Sequence, residues 1–376
     1  MAKVLVGMSG GVDSAVAARI LLDMGHEVTG VTLSLVPSDE RIVDGSAAAG
    51  EDRRTCCSLE DVQIARETCF KLGIEHFVFN FREFFDERVI GPFVDSYLRG
   101  ETPNPCVECN RHIKFGKLIE RAALLGYDFV ATGHYARVTR ADSGRYVLMR
   151  GVDRDKDQSY VLYPLTQDQL ARVIFPLGGM TKAQVRSIAP SVSMASARKP
   201  ESQDICFVPD GDYPSFISRA LAFRGASVPN GTAASREGNF VDSEGNVLGR
   251  HRGIERYTIG QRRGIGIALG KPAYVVAKNA ANNTVTLGDD GELAARTVMA
   301  RQLNLISVPH LHAPMRVTAK IRYNQEDEGA VIRPGQAGEV LAEFDRPQRA
   351  IAPGQSIVFY DGEIVVGGGI ISGKGD

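Results

Sequence analysis

The sequence predicts an α/β protein in which a doubly wound parallel sheet is followed by a small central domain and a C-terminal β-barrel. Three observations support this. Short apolar runs alternate with helical patterns over the first half, glycine and arginine concentrate after residue 210, and alternating strands follow residue 280. We place the domains at 1–211, 212–280 and 281–376, lengths that allow each domain its own core.

Composition narrows the class of protein. The 376 residues are 43% hydrophobic and 24% charged, as in ordinary globular proteins. The formal net charge of −1 disfavours a protein that coats nucleic acid, but it allows a binder with one basic face. A membrane span needs about 18 consecutive apolar residues, and no stretch of the sequence approaches that length. The first residues also lack the charged-then-apolar pattern of a signal peptide. We therefore expect a cytoplasmic protein without a membrane partner.

The first 36 residues form a strand–loop–helix–strand pattern. Residues 3–8, KVLVGM, are typical of a strand buried on both faces, and the loop SGGVDS occupies 9–14. A helical pattern follows with Val16, Ile20 and Met24 on one face, and strand character returns at 26–36. This arrangement points backbone N–H groups and a helix N-terminus at a phosphate.

The loop SGGVDS is neither a Walker A motif, because it lacks the lysine, nor a GxGxxG motif. Gly10 and Gly11 let the backbone curl around an anion, and the hydroxyls of Ser9 and Ser14 can donate to it. We expect Asp13 either to cap the helix or to hold Mg²⁺. In this setting SGGVDS resembles the PP-loop of the N-type ATP pyrophosphatase family, whose members split ATP between the α and β phosphates and adenylate a substrate oxygen.

The α/β pattern continues to about residue 210. We predict helices over 58–73, 81–100 and 113–126, and strands over 75–81 and 127–135, with Cys69 on a core-facing side of its helix. SGGVDS and the pair Gly133-His134 both follow buried strands, so both should lie at the carboxyl edge of the sheet, where ligands bind. The polar segment 37–55 is typical of a surface loop.

The second half of the chain has a different character. After a predicted helix at 214–223, residues 249–272 are rich in glycine and basic, and we expect Tyr257 and the arginines to form a surface that follows phosphates (Arg250, Arg252, Arg256, Arg262, Arg263). Residues 315–324 alternate as a strand does, and Asp361-Gly362 predicts a hairpin. Several short strands with intervening turns indicate a small closed barrel.

Six cysteines are too few and too unevenly spaced for a disulfide scaffold, so catalysis or metal binding is expected of them. The spacing of Cys106 and Cys109 suits half a zinc site, a redox pair, part of an iron–sulfur cradle or a nucleophile that handles sulfur. Zinc is disfavoured, because no second CxxC exists and His112 is too close to be a usual fourth ligand. Cys56 and Cys57 are interpreted as loop residues.

Seven motifs occur in order along nearly the whole chain: GMSGGVDS, TPNPCxxCN, ATGHYAR, KDQSY, FPLG, SQDICF and APGQSIVFYDGE. Together they resemble the tRNA 2-thiouridylases of the PP-loop family, whose first domain is adenine nucleotide alpha hydrolase-like. The resemblance implies that ATP, with Mg²⁺, adenylates O2 of the wobble uridine (U34) and that sulfur displaces AMP. It also implies two partners, which are tRNAs with Lys, Glu and Gln type anticodons and a persulfide-carrying sulfur donor protein or cysteine desulfurase.

The resemblance also assigns roles to individual residues. It implies that Cys206 carries sulfur as a persulfide and that Cys109 is the partner thiol, favoured as a thiolate by Lys114, Arg111 and the N-terminus of the predicted helix at 113. It implies ATP-binding residues (Gly7, Met8, Ser9, Gly10, Gly11, Val12, Asp13, Ser14, Leu33, Gly133). It also implies that Asn104, Pro105 and Cys106 lie at the target base. Residues at the tRNA are His134, Lys156, Asp157, Gln158, Arg322, Tyr323 and Gln355.

Several alternatives remain open at this point. Asp157 could serve only as a helix cap, Gln355 only to satisfy a turn, and Tyr323 only as part of an apolar strand face. Some family members carry aspartate in place of Cys106, which makes Cys109 the better nucleophile. The three cysteines Cys106, Cys109 and Cys206 could instead hold a [4Fe–4S] cluster. A small-molecule AMP-forming ligase and a non-catalytic tRNA-binding protein are the other candidate functions. We expect the loop around Cys206 to close over the adenylate.

Overall fold

The computed structural model describes residues 1–36, 59–192, 205–223, 236–336 and 338–375. The predicted surface loop at 37–55, Cys56 and Cys57 lie outside these residues, as does the part of the Cys206 loop that precedes residue 205. In the described ranges no helix is both long enough and apolar enough to cross a membrane.

A parallel sheet forms the centre of the N-terminal region, in the strand order β3-β2-β1-β4-β7. Its strands are β1 (Lys3–Gly7), β2 (Glu27–Ser34), β3 (His76–Asn80), β4 (Phe129–Ala131) and β7 (Val173–Ile174). The strand order reverses direction between β1 and β4, which is the switch point where doubly wound sheets bind ligands. The predicted loop and the segment Thr132–His134 follow these two strands, so both reach that point.

Helices cover both faces of this sheet, as predicted. Val4 and Val6 pack against the helix Val12–Asp23, which we call the loop helix, and against Ala65 and Cys69. Leu5 faces the other way and packs with Leu118 and Ala122. The α-helices are Val12–Asp23, Leu59–Leu72, Arg82–Phe85, Gly91–Leu98, Pro105–Glu108, Leu118–Leu124, Ser159–Leu162, Gln167–Leu170, Lys182–Val192 and Tyr213–Phe223. The described residues also form π-helices at Asp86–Ile90 and Cys109–Lys117 and 3₁₀ helices at Ile254–Arg256 and Asp290–Leu293.

The helix predicted to start at residue 113 starts earlier. Pro105–Glu108, Cys109–Lys117 and Leu118–Leu124 are continuous, and we call them together the cysteine helix. The side chain of Asn104 accepts a hydrogen bond of 3.1 Å from the N–H of Cys106, and Pro105 occupies the first helical position. A capping asparagine followed by proline is a strong signal for the start of a helix, whereas the resemblance assigns Asn104 and Pro105 only to the target base. Cys109 therefore lies inside a helix rather than before one.

The central region forms a sheet in the order β10-β11-β8-β9. Its strands are β8 (Gly238–Val241), β9 (Val247–His251), β10 (Tyr274–Asn279) and β11 (Thr284–Gly288). Arg252, Arg262 and Arg263 are exposed, as a phosphate-following surface requires. The prediction for Tyr257 is wrong, because its ring is buried against Phe240 and His251 and so serves the small core of this sheet.

The C-terminal region is a closed antiparallel barrel, as predicted. The strand order is β12-β15-β14-β13-β16-β17, and β12 pairs with β17 to close it. These strands are β12 (Ala294–Leu305), β13 (Met315–Lys320), β14 (Glu328–Pro334), β15 (Val340–Arg349), β16 (Ser356–Asp361) and β17 (Ile364–Lys374). The predicted hairpin is present, with Gly362 at φ +56° in its turn.

A hairpin from the N-terminal region joins this barrel. Strands β5 (Ala136–Arg140) and β6 (Tyr146–Arg150) extend the barrel sheet through the pairing of β6 with β17. Arg137 reinforces the junction with a hydrogen bond of 2.6 Å to Glu363. The segment that follows β4 at the switch point therefore runs directly into a hairpin fixed on the barrel.

Candidate active site

The loop after β1 leads into a helix whose first turn has no side-chain cap. Gly11 is the N-cap residue of the loop helix, and no side chain caps it, so Asp13 does not serve as the cap we considered. Ser14 Oγ donates to the carbonyl of Gly11 (3.0 Å) and accepts from the N–H of Ser9 (3.2 Å), which closes the loop on itself. Uncapped N–H groups at a helix N-terminus suit a phosphate.

Gly10 is held close to a neighbouring helix. It has φ +73°, and a Cβ added there would lie 2.8 Å from the carbonyl oxygen of Asp61. Only glycine meets both conditions without strain. The second glycine-dependent approach is at Gly133, where a Cβ would lie 2.7 Å from the carbonyl carbon of Asp13 and 2.9 Å from the N of Ser14. The end of β4 therefore lies directly against the first turn of the loop helix.

Asp13 bonds to a lysine that the sequence analysis missed. Lys182 Nζ lies 2.8 Å from each carboxylate oxygen of Asp13, and the hydroxyl of Tyr135 donates to Oδ1 at 2.8 Å. Lys182 is 8% exposed although it begins the helix Lys182–Val192, where the helix dipole disfavours a cation. The ion pair with Asp13 explains why a lysine is buried at this position, and no sequence motif identified it.

One hydrophobic cluster brings the two distant cysteines together. Cys109 is a buried member, 8% exposed, and Cys206 packs against the same cluster. The cluster includes Leu35, which follows β2, while Leu33 packs against its edge. The fold therefore brings two cysteines that are far apart in sequence to one hydrophobic cluster, and Leu33, predicted to line the adenine pocket, packs against the same cluster. Both cysteines are present as thiols.

Phe207 fixes the position of the chain after Cys206. Its ring makes edge contacts with Phe85 (centroids 5.8 Å apart) and Phe93 (5.2 Å) and also packs on Phe216. Because Phe207 is fully buried, the backbone beside it is anchored even though the predicted loop before residue 205 lies outside the described residues. The aromatic residue next to Cys206 thus holds this thiol at the edge of the cluster.

Cys106 does not share the cluster that contains Cys109 and contacts Cys206. It is exposed instead. Burial raises the pKa of Tyr323 to about 12, with smaller contributions from Asp157 and Cys106, so Cys106 lies near the Tyr323 ring. Among the residues that the structure describes, no group of three or more His, Cys, Asp or Glu side chains could hold a metal ion. The three thiols therefore do not fit an iron–sulfur cluster in this conformation.

The segment before Cys106 is fastened to the barrel. The Gln355 side chain donates to the carbonyl of Thr102 (2.9 Å), and the N–H of Thr102 donates to the carbonyl of Pro353 (2.8 Å). Arg301 on β12 pairs with Glu101 at 2.8 Å. Gln355 thus lies close, through these contacts, to the predicted target-base residues Asn104 and Pro105. In the free protein its side chain holds the segment that precedes them by bonding to Thr102.

Arg322 and Tyr323, the other tRNA residues predicted on the barrel, lie at the same end of the barrel as Gln355. Tyr323 is 37% exposed and meets the buried ring of Tyr160 edge-on, with centroids 5.9 Å apart. Arg322 donates to the carbonyl of Ala350 at 2.6 Å. Tyr323 lies beyond the end of β13, so the alternative that places it on an apolar strand face does not describe its setting. Cys106, Tyr323 and Gln355 therefore mark one end of the barrel.

The segment Lys156–Gln158 bonds mainly within the protein. Asp157 is buried and accepts hydrogen bonds from the N–H groups of Gly151 (3.0 Å) and Ser159 (3.1 Å). The N-cap residue of the helix Ser159–Leu162 is Gln158 and no side chain caps that helix, so the cap considered for Asp157 is not formed. Gln158 is half-buried and bonds to Tyr135. Lys156 is also half-buried, and its tRNA contact stays a prediction.

His134 is buried between aromatic rings. It packs on Phe115 and Phe175, and its Nδ1 lies 2.6 Å from the Thr132 hydroxyl. Burial lowers its pKa well below 6.5, and the charge of Lys114 lowers it further. A neutral, buried ring gives no cationic contact to phosphate, so the tRNA contact predicted for His134 gains no support from this conformation.

Three family models match successive parts of the chain. They are described as tRNA methyl transferase HUP domain over residues 2–210, tRNA methyl transferase PRC-barrel domain over 230–289, and Aminomethyltransferase beta-barrel domain over 295–371. The protein named tRNA-specific 2-thiouridylase MnmA in Acetivibrio thermocellus is 50% identical over 373 residues, which is 98% of this chain and 99% of that protein. This chain belongs to the MnmA family.

Other MnmA relatives agree. The tRNA-specific 2-thiouridylase MnmA of Clostridioides difficile is 47% identical, covering 98% of both chains, and that of Heliobacterium modesticaldum is 48% identical, covering 98% of this chain and 92% of its own. Among solved structures, the predicted subunit of tRNA methyltransferase from Methanocaldococcus jannaschii covers 60% of this chain and 90% of its own, with 21% identity and a TM-score of 0.33. That likeness is too remote to support an argument.

Proposed function

We propose that this chain is an ATP-dependent tRNA 2-thiouridylase that places sulfur at C2 of the wobble uridine, U34. The observation that carries the proposal is the meeting of Cys109 and Cys206 at one hydrophobic cluster, beside Leu33 and close to the carboxyl edge of the sheet. Two thiols brought together from distant segments suit sulfur transfer, and the adjacent PP-loop suits adenylation. The names of the full-length relatives support the same reaction.

The first step is activation of the uridine oxygen. O2 attacks the α-phosphorus of ATP and pyrophosphate leaves, so that AMP becomes the leaving group at C2. The uncapped start of the loop helix and the ammonium of Lys182 would hold the phosphates, while Gly133 and Leu33 would line the nucleoside pocket. We assign Mg²⁺ to the ATP phosphates, with Asp13 as the nearest carboxylate.

The second step transfers sulfur. The terminal sulfur of a Cys206 persulfide attacks C2 and AMP leaves, which joins the uridine to Cys206 through a disulfide. The Cys109 thiolate then attacks the sulfur of Cys206, so that 2-thiouridine leaves and a Cys109–Cys206 disulfide forms. An external thiol must reduce that disulfide before the next turnover, and a persulfide-carrying donor protein must reload Cys206.

The tRNA approaches at the end of the barrel marked by Tyr323 and Gln355. A stacked base hides C2, so U34 must turn out of its stack toward Asn104, Pro105 and Cys106. The exposed arginines of the central region extend the same interface along the phosphates. We propose tRNAs with Lys, Glu and Gln type anticodons as substrates and the cytoplasm as the site of action.

Three alternatives have less support. A [4Fe–4S] cluster would need Cys106 to join the other two thiols, and it is exposed near Tyr323 instead. We therefore derive no step through a cluster. Methyl transfer, which the descriptions of two family models name, requires neither an ATP-splitting loop nor a pair of thiols. A ligase acting on a small molecule would not need the barrel, whereas here Gln355 of the barrel region bonds to Thr102, just before the predicted target-base residues.

The test is an anaerobic reaction of the protein with ATP, Mg²⁺, a persulfide donor and unmodified tRNA, followed by nucleoside analysis of position 34. We expect 2-thiouridine, AMP and pyrophosphate in equal amounts, and no thiolation without ATP. Cys106→Ser is the matched control for Cys109→Ser and Cys206→Ser, and it should retain most of the activity. Methylated uridine, or thiolation that does not need ATP, would overturn the proposal.

A further inference from the structure

The loop SGGVDS at 9–14, which we call the ATP loop, is connected to the segment after Gly151 by a short chain of hydrogen bonds. The N–H of Tyr135 donates to Gln158 Oε1 at 3.0 Å, and the N–H of Gln158 donates back to the carbonyl of Tyr135 at 2.9 Å. The hydroxyl of Tyr135 then donates to Asp13 at 2.8 Å, in the first turn of the loop helix. Gln158 therefore bonds to the backbone of Tyr135, and the side chain of Tyr135 bonds to Asp13 in the first turn of the loop helix.

From this chain we propose that Gln158 is a positioning residue for ATP, holding Tyr135 so that its hydroxyl keeps Asp13 in place. The inference rests on the proposed function, because it assumes that the loop helix binds ATP. It assigns to Gln158 a role in the nucleotide site that is separate from the tRNA contact expected from its motif.

The side chain of Tyr135 is held in place by the residues packed around it. The ring is buried in a cluster with Val16 and Ala17 of the loop helix and Val185 of the helix Lys182–Val192. Lys182 Nζ lies 5.7 Å from the centre of the ring and reaches the same carboxylate. A shift in the Tyr135 backbone would therefore move the hydroxyl, the carboxylate and the lysine together.

Gln158 is itself held by its neighbours along the chain. Asp157 is fixed by the N–H groups of Gly151 and Ser159, and the hydroxyl of Tyr160 donates to the carbonyl of Ser356 on the barrel at 2.7 Å. The Ser159 hydroxyl lies 3.3 Å from that of Tyr360. Because both sides of Gln158 are anchored, its amide can transmit the position of the barrel to Tyr135.

Two substitutions at Gln158 separate ATP positioning from tRNA contact. Gln158→Ala removes the acceptor of the Tyr135 N–H, whereas Gln158→Glu keeps an oxygen acceptor and adds a negative charge that tRNA phosphates would repel. We expect Gln158→Ala to weaken ATP binding about three- to tenfold in the absence of tRNA, where a tRNA contact can play no part. We expect Gln158→Glu to bind ATP within about twofold of wild type.

Calorimetry with ATP and Mg²⁺, and fluorescence anisotropy with unmodified tRNA, give the two affinities on the full chain. Tyr135→Phe removes only the hydroxyl and should reproduce the ATP defect of Gln158→Ala. If Gln158→Ala does not fold, Tyr135→Phe tests the same chain of hydrogen bonds. Gln63→Ala, on an exposed helix face, is the neutral control. Loss of tRNA affinity in Gln158→Ala with unchanged ATP affinity would overturn the positioning role alone. A wild-type chain that binds tRNA but not ATP would overturn the proposed function as well.

Discussion

Lys182 Nζ lies 2.8 Å from both carboxylate oxygens of Asp13, so one ion pair ties the ATP loop to a helix that begins 169 residues later. The lysine is almost fully buried, while the carboxylate is one-third exposed toward the loop. A cation in this position can neutralise Asp13 in the free protein and can turn to a bound phosphate without crossing solvent.

Lys182→Met should weaken both stability and nucleotide binding. Removing the lysine leaves a half-buried carboxylate without its cation, at a cost of about 1–2 kcal/mol in the free energy of unfolding after allowance for solvent. We expect ATP affinity to fall about tenfold, because the triphosphate loses this charge. Urea denaturation and calorimetry measure the two effects. Lys271→Met, which breaks an exposed pair with Asp289, should change neither by more than about 0.5 kcal/mol.

Gly133→Ala should damage the ATP site through the backbone. The added methyl group would lie 2.7 Å from the carbonyl carbon of Asp13, so the start of the loop helix must shift. We expect ATP affinity to fall at least tenfold, together with a loss of about 1–3 kcal/mol in the free energy of unfolding. Gly179→Ala is the matched control, because a Cβ there meets nothing within 4 Å. Equal ATP affinity in the two variants would contradict the packing of Gly133 against the loop.

His134 should contribute to acid sensitivity. Burial holds its pKa in the folded protein well below 6.5, so the unfolded chain binds a proton that the folded chain does not. The contribution of His134 is therefore fully present above about pH 6.5 and is lost as the pH falls below it. His134→Asn should flatten the decline of the melting temperature between pH 7 and pH 5. A variant with the same slope as wild type would show that His134 does not titrate differently on folding.

Much of the fold could be predicted from the sequence, because local patterns encode it. The run KVLVGM before SGGVDS is buried on both faces only in a parallel sheet, and Asp361-Gly362 encodes its hairpin directly. Tyr257 was assigned to a surface because its neighbours are arginines. Its burial depends on Phe240 and His251, which the sequence does not identify as its partners.

The candidate site could be predicted only in part. Motifs identified Cys109 and Cys206, and the tertiary fold was needed to bring them to one cluster. Lys182 has no motif of its own, since its importance comes from Asp13 across the switch point. The sequence Asn104-Pro105 contains the start signal of the cysteine helix, but the predicted start at residue 113 did not use it.

A single turnover without reductant tests the sulfur-transfer pair most directly. Protein loaded with one persulfide per chain on Cys206 is mixed anaerobically with ATP, Mg²⁺ and excess unmodified tRNA, and the products are measured by nucleoside analysis and peptide mass spectrometry. We predict one 2-thiouridine per loaded chain and an equal amount of Cys109–Cys206 disulfide, with neither product in Cys109→Ser. Thiouridine formed in full yield with Cys109 still a thiol, or full activity in Cys206→Ser, would contradict the account.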